Sequence, residues 1–363
     1  MTKGPTVYDV AEAAGVSIAT VSFTFRRPDR VRRSTREAVL VAARRLGYVP
    51  SASARGLAEG HTGVLGMISW DLLADVPAAS EPFGNTDLRR FPRYVDEVQR
   101  GVELATWRNG RTLMIGGGNH SNSESVILDI AGRADGLVVL PHTMTTESIL
   151  PIAARIPVVI VSEFPGTEQL NRVTIDNADG IRQLVQHLVV EHAARDIRFV
   201  GDISLGDEIH AGDVLTTVEY RDRWNSLVEN LRAHRLDPPE SPITHADGLG
   251  EAMRHMVETA GLPDALVCRN DADALDVMDE LAALSVTVPD DVIVTGFDGI
   301  AAGMVSTPTL TTVRQPMQAL GEAAVDILIQ QLANPTTPLA RMFPVALSVG
   351  NSCGCERGPS AAS

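Results

Sequence analysis

Residues 6–25 read TVYDVAEAAGVSIATVSFTF, and the stretch divides at Ala14-Gly15 into two short helical patterns. Thr6-x-x-Asp9 has the spacing of a capped helix start, with Asp in place of the preferred Glu. Val7, Val10, Ala11 and Ala14 then recur on one helical face. Gly15 can supply the left-handed conformation that ends a helix. Ser17 can cap a second helix from Ile18 to about Phe25. That second helix carries no charge and is made mostly of small residues, yet arginines surround it in sequence.

A third helix follows. Ser34-Thr35-Arg36-Glu37 has the capping-box pattern, Ala38, Val39, Ala42 and Leu46 make an apolar stripe, and Gly47 ends it. Three short helices, the first two joined by a tight Gly-containing turn, describe a helix-turn-helix. In that motif the second helix enters the major groove, and small residues let its backbone approach closely. Charge agrees with this reading. Residues 1–60 carry a net charge of +5, and the remainder of the chain carries −20. A basic N-terminal sixth on an acidic body fits a separate module that meets a polyanion. A small three-helix bundle packed on the body is the alternative that the charge excess disfavours.

The run TVYDVAEAAGVSIATVSFTF, followed by TREAVLVAARRLGYVPSASARGLA, resembles the DNA-binding headpiece of the lactose/galactose repressor (LacI/GalR) family. The resemblance implies a hinge helix over residues 51–58 that forms against its dimer mate and wedges Leu57 into the minor groove, with Ala54 and Arg55 beside it. An apolar wedge of that kind kinks the duplex, and the bend permits added contacts. The resemblance also implies that Ile18, Ala19 and Phe23 face bases. Tyr8, Ser17, Thr20, Ser22, Arg30 and Thr35 would then hold phosphates. Phe23 and Arg26 depart from the arginine and asparagine common in the family. Phe23 can pack on a thymine methyl or turn inward into the bundle core.

From His61 the pattern changes to short apolar runs alternating with amphipathic helices. GVLGMIS, RTLMIGG, DGLVVLP, PVVIVSE, IRFVGD, DALVCRN and DVIVTGFD read as buried parallel strands. DEVQRGVELATW, GIRQLVQHLVVEH and ADALDVMDELAAL read as helices between them. This is α/β layering, with ligand groups expected at strand C-termini. The family resemblance extends through DVIVTGFDGI…TPTLTTVRQP and LPDALVCRND. It implies a fold similar to periplasmic sugar-binding proteins, with two lobes joined by three crossovers. The fold expected is therefore an all-α helix-turn-helix headpiece with a hinge helix, joined to a two-lobed α/β periplasmic-binding-protein-like domain. The expected boundaries are 1–50 for the headpiece, 51–61 for the hinge, 62–350 for the bilobed domain and 351–363 for a tail. The N-lobe is set at about 62–162 and 295–320, and the C-lobe at about 163–294 and 321–350.

Asp298, Asn270, Asp179 and Arg223 match the family's effector-binding positions. Two carboxylates, an amide and a guanidinium suit a polyhydroxyl ligand, a nucleobase or another polar metabolite. Asp298 and Asn270 can equally be turn residues. Ser226 and Leu227 stand where the family usually has glycine and an aromatic, which removes a stacking face for a sugar ring. Residues 70–95, WDLLADVPAASEPFGNTDLRRFPRYV, are long for a strand–helix connection.

Other classes find less support. No apolar run reaches the ~20 residues of a membrane helix, and MTKGPTVYDV lacks a signal core. This points to a cytoplasmic protein without a membrane partner. Cys268, Cys353 and Cys355 read as reduced thiols, with no zinc-spaced Cys/His cluster and so no metal site. No catalytic constellation and no cofactor motif appears. His187 and His192 read as ordinary helix residues. Without leucine heptads near the C-terminus, a homodimer is expected rather than a tetramer. The reading is a repressor that binds pseudo-palindromic operator DNA and is switched by a small, sugar-like effector. The alternative is a ligand-binding or transport receptor built on the bilobed body alone.

Overall fold

The computed structural model describes residues 4–49, 61–68, 94–116, 123–140, 146–162, 166, 169–201, 218–244 and 248–356. The hinge residues Ala54, Arg55 and Leu57 and the segment 71–93 lie outside the described residues. The chain forms two compact units, one ending at Gly63 and one beginning at Val64.

The first unit holds helices α1 (Val7–Ala14), α2 (Ile18–Arg26) and α3 (Arg33–Leu46), with a 3-10 turn at Pro28–Arg30. Asp9 Oδ2 accepts from the Thr6 backbone N–H at 2.6 Å and from the Thr6 hydroxyl at 2.7 Å. Gly15 ends α1 at φ +64°, and Ser17 Oγ accepts from the Thr20 N–H at 3.1 Å to start α2. Val10, Ala11, Val21, Val39, Ala42 and Ala43 form the core, with Phe25 and Tyr48 tilted together at its edge. The start of α3 differs from the expected capping box. The helix begins two residues earlier than that box implies, at Arg33, with no side-chain cap, and Glu37 pairs with Arg33 Nε at 2.9 Å. The i,i+4 ion pair has taken the carboxylate that the box needed.

The second unit contains two sheets. Its elements are β1 (Val64–Ile68), α4 (Tyr94–Arg108), β2 (Thr112–Gly116), α5 (Ser123–Ala131), β3 (Gly136–Val139), α6 (Thr146–Ala153), β4 (Val158–Val161) and β5 (Asn171–Ile175). There follow α7 (Asn177–Glu191), β6 (Ile197–Val200), α8 (Val218–Ala233), α9 (Leu249–His255), β7 (Ala265–Cys268) and α10 (Asp271–Ala283). The chain continues through β8 (Ile293–Asp298), α11 (Ala301–Val305), β9 (Thr311–Arg314), α12 (Met317–Ala333), β10 (Ala340–Phe343) and β11 (Ala346–Ser348). The first sheet runs β10-β5-β4-β3-β1-β2 and is parallel throughout. The second runs β11-β9-β8-β7-β6, parallel except for the edge strand β11. The central strands β3, β4 and β7 are fully buried and almost wholly apolar, as expected of parallel strands covered by helices on both faces.

The chain crosses between sheets three times, as the family resemblance implies, but not at the expected boundaries. It leaves the first sheet after β5, returns from β9 to α12, and crosses again between β10 and β11. Residues 169–175, expected in the C-lobe, therefore belong with the N-lobe, because β5 pairs with β4. Residues 295–314 belong with the C-lobe, because β8 and β9 pair with β7 and each other. Helix α12 and β10 belong with the N-lobe. Gly101 of α4 and Gly321 of α12 let these helices touch backbone to backbone: a Cβ on Gly321 would stand 2.1 Å from the Val98 carbonyl oxygen. The start of the expected tail is also part of the fold. Residues Asn351–Cys353 form a 3-10 turn in which Ser352 Oγ donates to the Val294 carbonyl at 2.6 Å.

Candidate ligand cleft and nucleic-acid interface

The carboxyl ends of β4 and β8 face one cleft between the two sheets, as open α/β sheets generally place ligands. Tyr94, Leu140 and Ser162 line it from the first lobe. Tyr220, Arg223, Asp298 and Gln315 line it from the second, with Glu219 beside them. The closed space between them is small, about 30 Å³, room for about one water molecule.

Two cleft residues hold positive φ without being glycine: Ser162 at +112° and Asp298 at +120°. Such conformations cost about 1–3 kcal/mol each and cluster at functional sites. Asp298 is fixed there by the Gln315 backbone N–H, which donates to its carbonyl at 2.9 Å, and by Gln315 Nε2, which donates to Oδ1 at 2.7 Å. Ser162 Oγ is buried and has no hydrogen-bond partner among the described residues. An orphaned buried hydroxyl is costly, and a ligand oxygen is the kind of group that satisfies it.

Arg223, only 2% exposed, is the post of the second-lobe side. Its Nε donates to Asn177 Oδ1 at 2.8 Å and its Nη1 to the Arg269 carbonyl at 2.5 Å. Its guanidinium lies 3.6 Å over the Phe297 ring, and Nη1 is 3.7 Å from Asp298 Oδ1. Burial pushes the Asp298 carboxyl well above the usual carboxylate range, and Arg223 pulls it back down. Burial likewise raises the Tyr94 and Tyr220 phenols, so both present neutral hydroxyls.

Of the four expected effector residues, the structure brings Arg223 and Asp298 together and places the other two elsewhere. Asn270 caps α10, its Oδ1 accepting from the Asp273 N–H at 2.8 Å, and it touches Tyr220 Oη only at a long 3.5 Å. Asp179 does not line the cleft. Its carboxylate is held low by Arg182 (2.6 Å) and Gln183 (2.7 Å) on its own helix. The neighbouring Gly180 matters for packing, since a Cβ there would meet Val313, Phe297 and Val345 at 2.9–3.0 Å. From this segment it is Asn177 that reaches Arg223.

Sequence reasoning missed Tyr94, Tyr220, Gln315 and Ser162. Tyr94 and Tyr220 bring aromatic rings to the cleft lining, the Tyr220 ring having the Arg223 and Arg269 guanidiniums beside it at 5.4 and 5.1 Å. Sequence reasoning also missed Asp271, which anchors the site's floor. It is fully buried, and Oδ2 accepts from the Gly299 and Ile300 N–H groups at 2.7 and 2.8 Å, while the Thr312 hydroxyl donates to Oδ1 at 2.5 Å. Burial raises its pKa to about 7 against those bonds. The reading that no Cys/His cluster exists is also corrected. His187, His192, Cys353 and Cys355 converge, with their ligand atoms all within 4.8 Å of one another. The two halves are some 160 positions apart in sequence, where no spacing rule finds them.

In the helical unit, one face of α2 is left outside the core. Ile18 is 41% and Phe23 46% exposed, and Ala19 lies beside them. Phe23 therefore does not fill the bundle core. Tyr8, Ser17 and Arg30 are exposed, while Thr20, Ser22 and Thr35 are half-buried. Thr20 is engaged locally, its Oγ1 2.9 Å from Ser17 Oγ. Helices α1 and α2, with the tight turn at Gly15, have the helix-turn-helix arrangement.

A helix-turn-helix unit followed by a two-sheet α/β unit with a polar interlobe cleft defines a ligand-responsive DNA-binding regulator. The model for bacterial regulatory proteins of the lacI family matches residues 6–51, and that for the periplasmic binding protein-like domain matches residues 185–353. The chain is 29% identical over 341 residues to the HTH-type transcriptional repressor PurR of Erwinia tasmaniensis, covering 91% of each. It is 28% identical over 340 residues to catabolite control protein A of Priestia megaterium, covering 91% of this chain and 93% of that one. The lac repressor dimer bound to operator and the anti-inducer ONPF matches the fold with a TM-score of 0.76 at 22% identity, over 97% of this chain and 99% of that one. The chain thus carries a lacI-family DNA-binding domain joined to a periplasmic-binding-protein-like domain, and over most of its length it is similar to HTH-type transcriptional repressors.

Proposed function

We propose that this protein is a homodimeric cytoplasmic repressor that binds a pseudo-palindromic operator through its helical unit. A small polyhydroxyl, sugar-like effector bound between the lobes controls it. The protein acts by binding and not by turnover. The observation that carries the effector reading is the cleft itself: an ionisable acceptor (Asp298), a buried guanidinium (Arg223), an orphaned serine hydroxyl (Ser162) and two neutral phenols around one small space. Acceptors and donors mixed at this density suit vicinal hydroxyls, each of which both donates and accepts. Tyr94 adds an aromatic ring to the lining, a group that suits the C–H side of a sugar.

The DNA reading assigns Ile18, Ala19 and Phe23 to bases, and Tyr8, Ser17, Thr20, Ser22, Arg30 and Thr35 to phosphates. Ala54, Arg55 and Leu57 take the minor groove. The exposed apolar face of α2 supports a thymine-methyl contact for Phe23. Effector binding shifts the operator-bound state by its differential affinity for two arrangements of the dimer.

The test is selection of random DNA by the purified full chain, with and without a panel of monosaccharides and disaccharides. An inverted-repeat sequence whose enrichment changes with one sugar class is expected. Enrichment of no sequence would refute the DNA reading, and an operator indifferent to every sugar would refute the effector class.

A further inference from the structure

We propose that His187, His192, Cys353 and Cys355 form a tetrahedral zinc site that fastens the end of the second lobe to helix α7.

The four side chains come from two elements. His187 lies on the last turns of α7, and His192 is the residue at which that helix stops, with φ −111° and ψ −1°. On a continuous helix, residues five apart would point away from each other. Here the chain turns off at His192, and Ala193 follows at φ +54°. The two Nε2 atoms are thereby set 3.2 Å apart. The cysteines come from the other element by a comparable device. Cys353 ends a 3-10 turn, and Gly354 at φ +89° curls the chain so that Cys355 returns toward the same point.

The distances match one metal. Zinc takes sulfur at about 2.3 Å and imidazole nitrogen at about 2.0–2.1 Å, so a tetrahedron puts neighbouring donors roughly 3.3–3.8 Å apart. The observed separations are 3.2 Å for His187 to His192, 3.3 Å for Cys355 Sγ to His192 Nε2, 3.5 Å for Cys353 Sγ to His187 Nε2 and 3.8 Å for Cys355 Sγ to His187 Nε2. A network of ordinary hydrogen bonds is a poorer account of this geometry. Two imidazoles facing through the same nitrogen atom must divide one proton between them, and both thiols compete for those nitrogens. Two thiolates and two imidazoles around Zn²⁺ leave the site electrically neutral, with two protons released from the thiols on binding. That neutrality suits a position where Cys353 is buried and the other three are half-buried. A two-sulfur, two-nitrogen tetrahedral set selects zinc over calcium or magnesium, which take oxygen.

The surroundings tie the site to the lobe. The Thr311 hydroxyl donates to Cys353 Sγ at 3.1 Å and Thr311 N–H is 2.9 Å from Ser352 Oγ. The next residue, Thr312, donates to Asp271, so the zinc site abuts the strand that supports the floor of the cleft. All four ligands lie within the second lobe and none lines the cleft, so the proposal is independent of the effector reading.

The experiment uses tag-free full-length protein, reduced, stripped with a chelator and desalted. Zinc is titrated in competition with a chromogenic chelator, and cobalt(II) is added in parallel as a spectroscopic probe. The expected result is one equivalent of tightly held zinc. The cobalt form should show thiolate-to-metal charge transfer and the intense visible bands of a tetrahedral ion. Zinc should raise the unfolding midpoint, and chelation should reverse the rise. Cys355→Ala and His192→Ala, both at half-buried positions, should weaken zinc by more than the roughly 10–100-fold that loss of an outer partner costs. Circular dichroism checks that these variants stay folded. Folded, reduced wild type that takes up no zinc would overturn the proposal. So would a Cys355→Ala, His192→Ala double variant that binds zinc as the wild type does, or a cobalt spectrum without thiolate bands.

Discussion

Replacing Asp298 by Asn isolates the role of its charge in the cleft. Both described contacts of the carboxylate engage Oδ1: Gln315 Nε2 at 2.7 Å and Arg223 Nη1 at 3.7 Å. Oδ2 is therefore the acceptor left for a ligand hydroxyl. In Asp298→Asn the Gln315 bond holds the amide oxygen in the Oδ1 place, so the –NH₂ group takes the Oδ2 place and presents donors where, at a pH above the raised pKa of Asp298, an anion accepts. Asn also tolerates positive φ better than most residues, so the backbone at +120° is kept. Arg223 retains Asn177, the Arg269 carbonyl and the Phe297 face. Loss of one charge-assisted hydrogen bond is worth about 1.5–3 kcal/mol, or roughly a 10- to 150-fold loss of effector affinity. Calorimetric titration of the effector found by DNA selection measures this directly. Operator affinity without effector should be unchanged, and an effector-released repressor should need correspondingly more effector to leave DNA. Unaltered effector affinity would refute the argument, because it would mean that Asp298 serves only to shape the turn and to neutralise Arg223.

Asp271→Ala strips partners from two buried N–H groups, Gly299 and Ile300. At roughly 1–3 kcal/mol for each unpaired group, denaturant unfolding should show a loss of about 2–5 kcal/mol. Asp271→Asn tests the charge separately. The folded-state pKa of about 7 lies above the ordinary carboxylate value, so the folded protein holds a proton that the unfolded chain releases. This residue's contribution to stability therefore falls as pH rises from about 4 to about 7, and the stability difference between wild type and Asp271→Asn should change across that window and not above it. Phe23→Ala should leave the unfolding midpoint nearly unchanged, because the ring lies outside the core. It should cost operator affinity by an amount that depends on the base at one position, as measured by binding to a substituted operator series. Arg30→Ala should weaken binding to all DNA sequences and reduce the slope of log affinity against log salt by about 0.9, read from titrations at several salt concentrations.

Much of this architecture was legible because it is written locally. The two patterns around Gly15 specify their helices through Thr6, Asp9 and Ser17, and each device is observed. The apolar runs of the body announced β1 to β4 and β6 to β8 by burial alone. What they could not announce was partnership. A Val/Ile run reads the same whichever sheet receives it, so the lobe expected for 169–175 and for 295–314 is not the one observed. The same limit acted at the cleft. Asp298 was found at the end of an apolar strand, whereas Tyr94, Ser162 and Gln315 come from separate elements and carry no shared motif. Asn270 and Asp179 matched by position, yet a helix N-cap and an intrahelical ion pair claim them in the structure. The capping box at Ser34 failed by the same kind of competition, because Arg33 offered Glu37 a nearer partner.

The cleft and its floor then explain why one strand pair bears so much of the chemistry. Strands β8 and β9 run parallel, with Asp298 opposite Arg314 and Gly296 opposite Thr312. Gly296 is open because Asp271 fills the space a side chain would take; a Cβ there would lie 2.2 Å from Asp271 Oδ1. Asp271 in turn fixes the N–H groups of Gly299 and Ile300, the two residues that follow Asp298. The positive φ of Asp298 is thus held from both sides: by Asp271 through the turn after it, and by Gln315 through its carbonyl and carboxylate. Residues in strained conformations persist only where their surroundings over-determine them, and this one is held by contacts from α10 and from the chain just beyond β9. Gln315 stands where the chain crosses back to the first lobe, immediately before α12. Any ligand that draws on Asp298 therefore acts on a residue bonded to an interlobe crossing, and that contact is a direct physical link between occupancy of the cleft and the relative placement of the lobes.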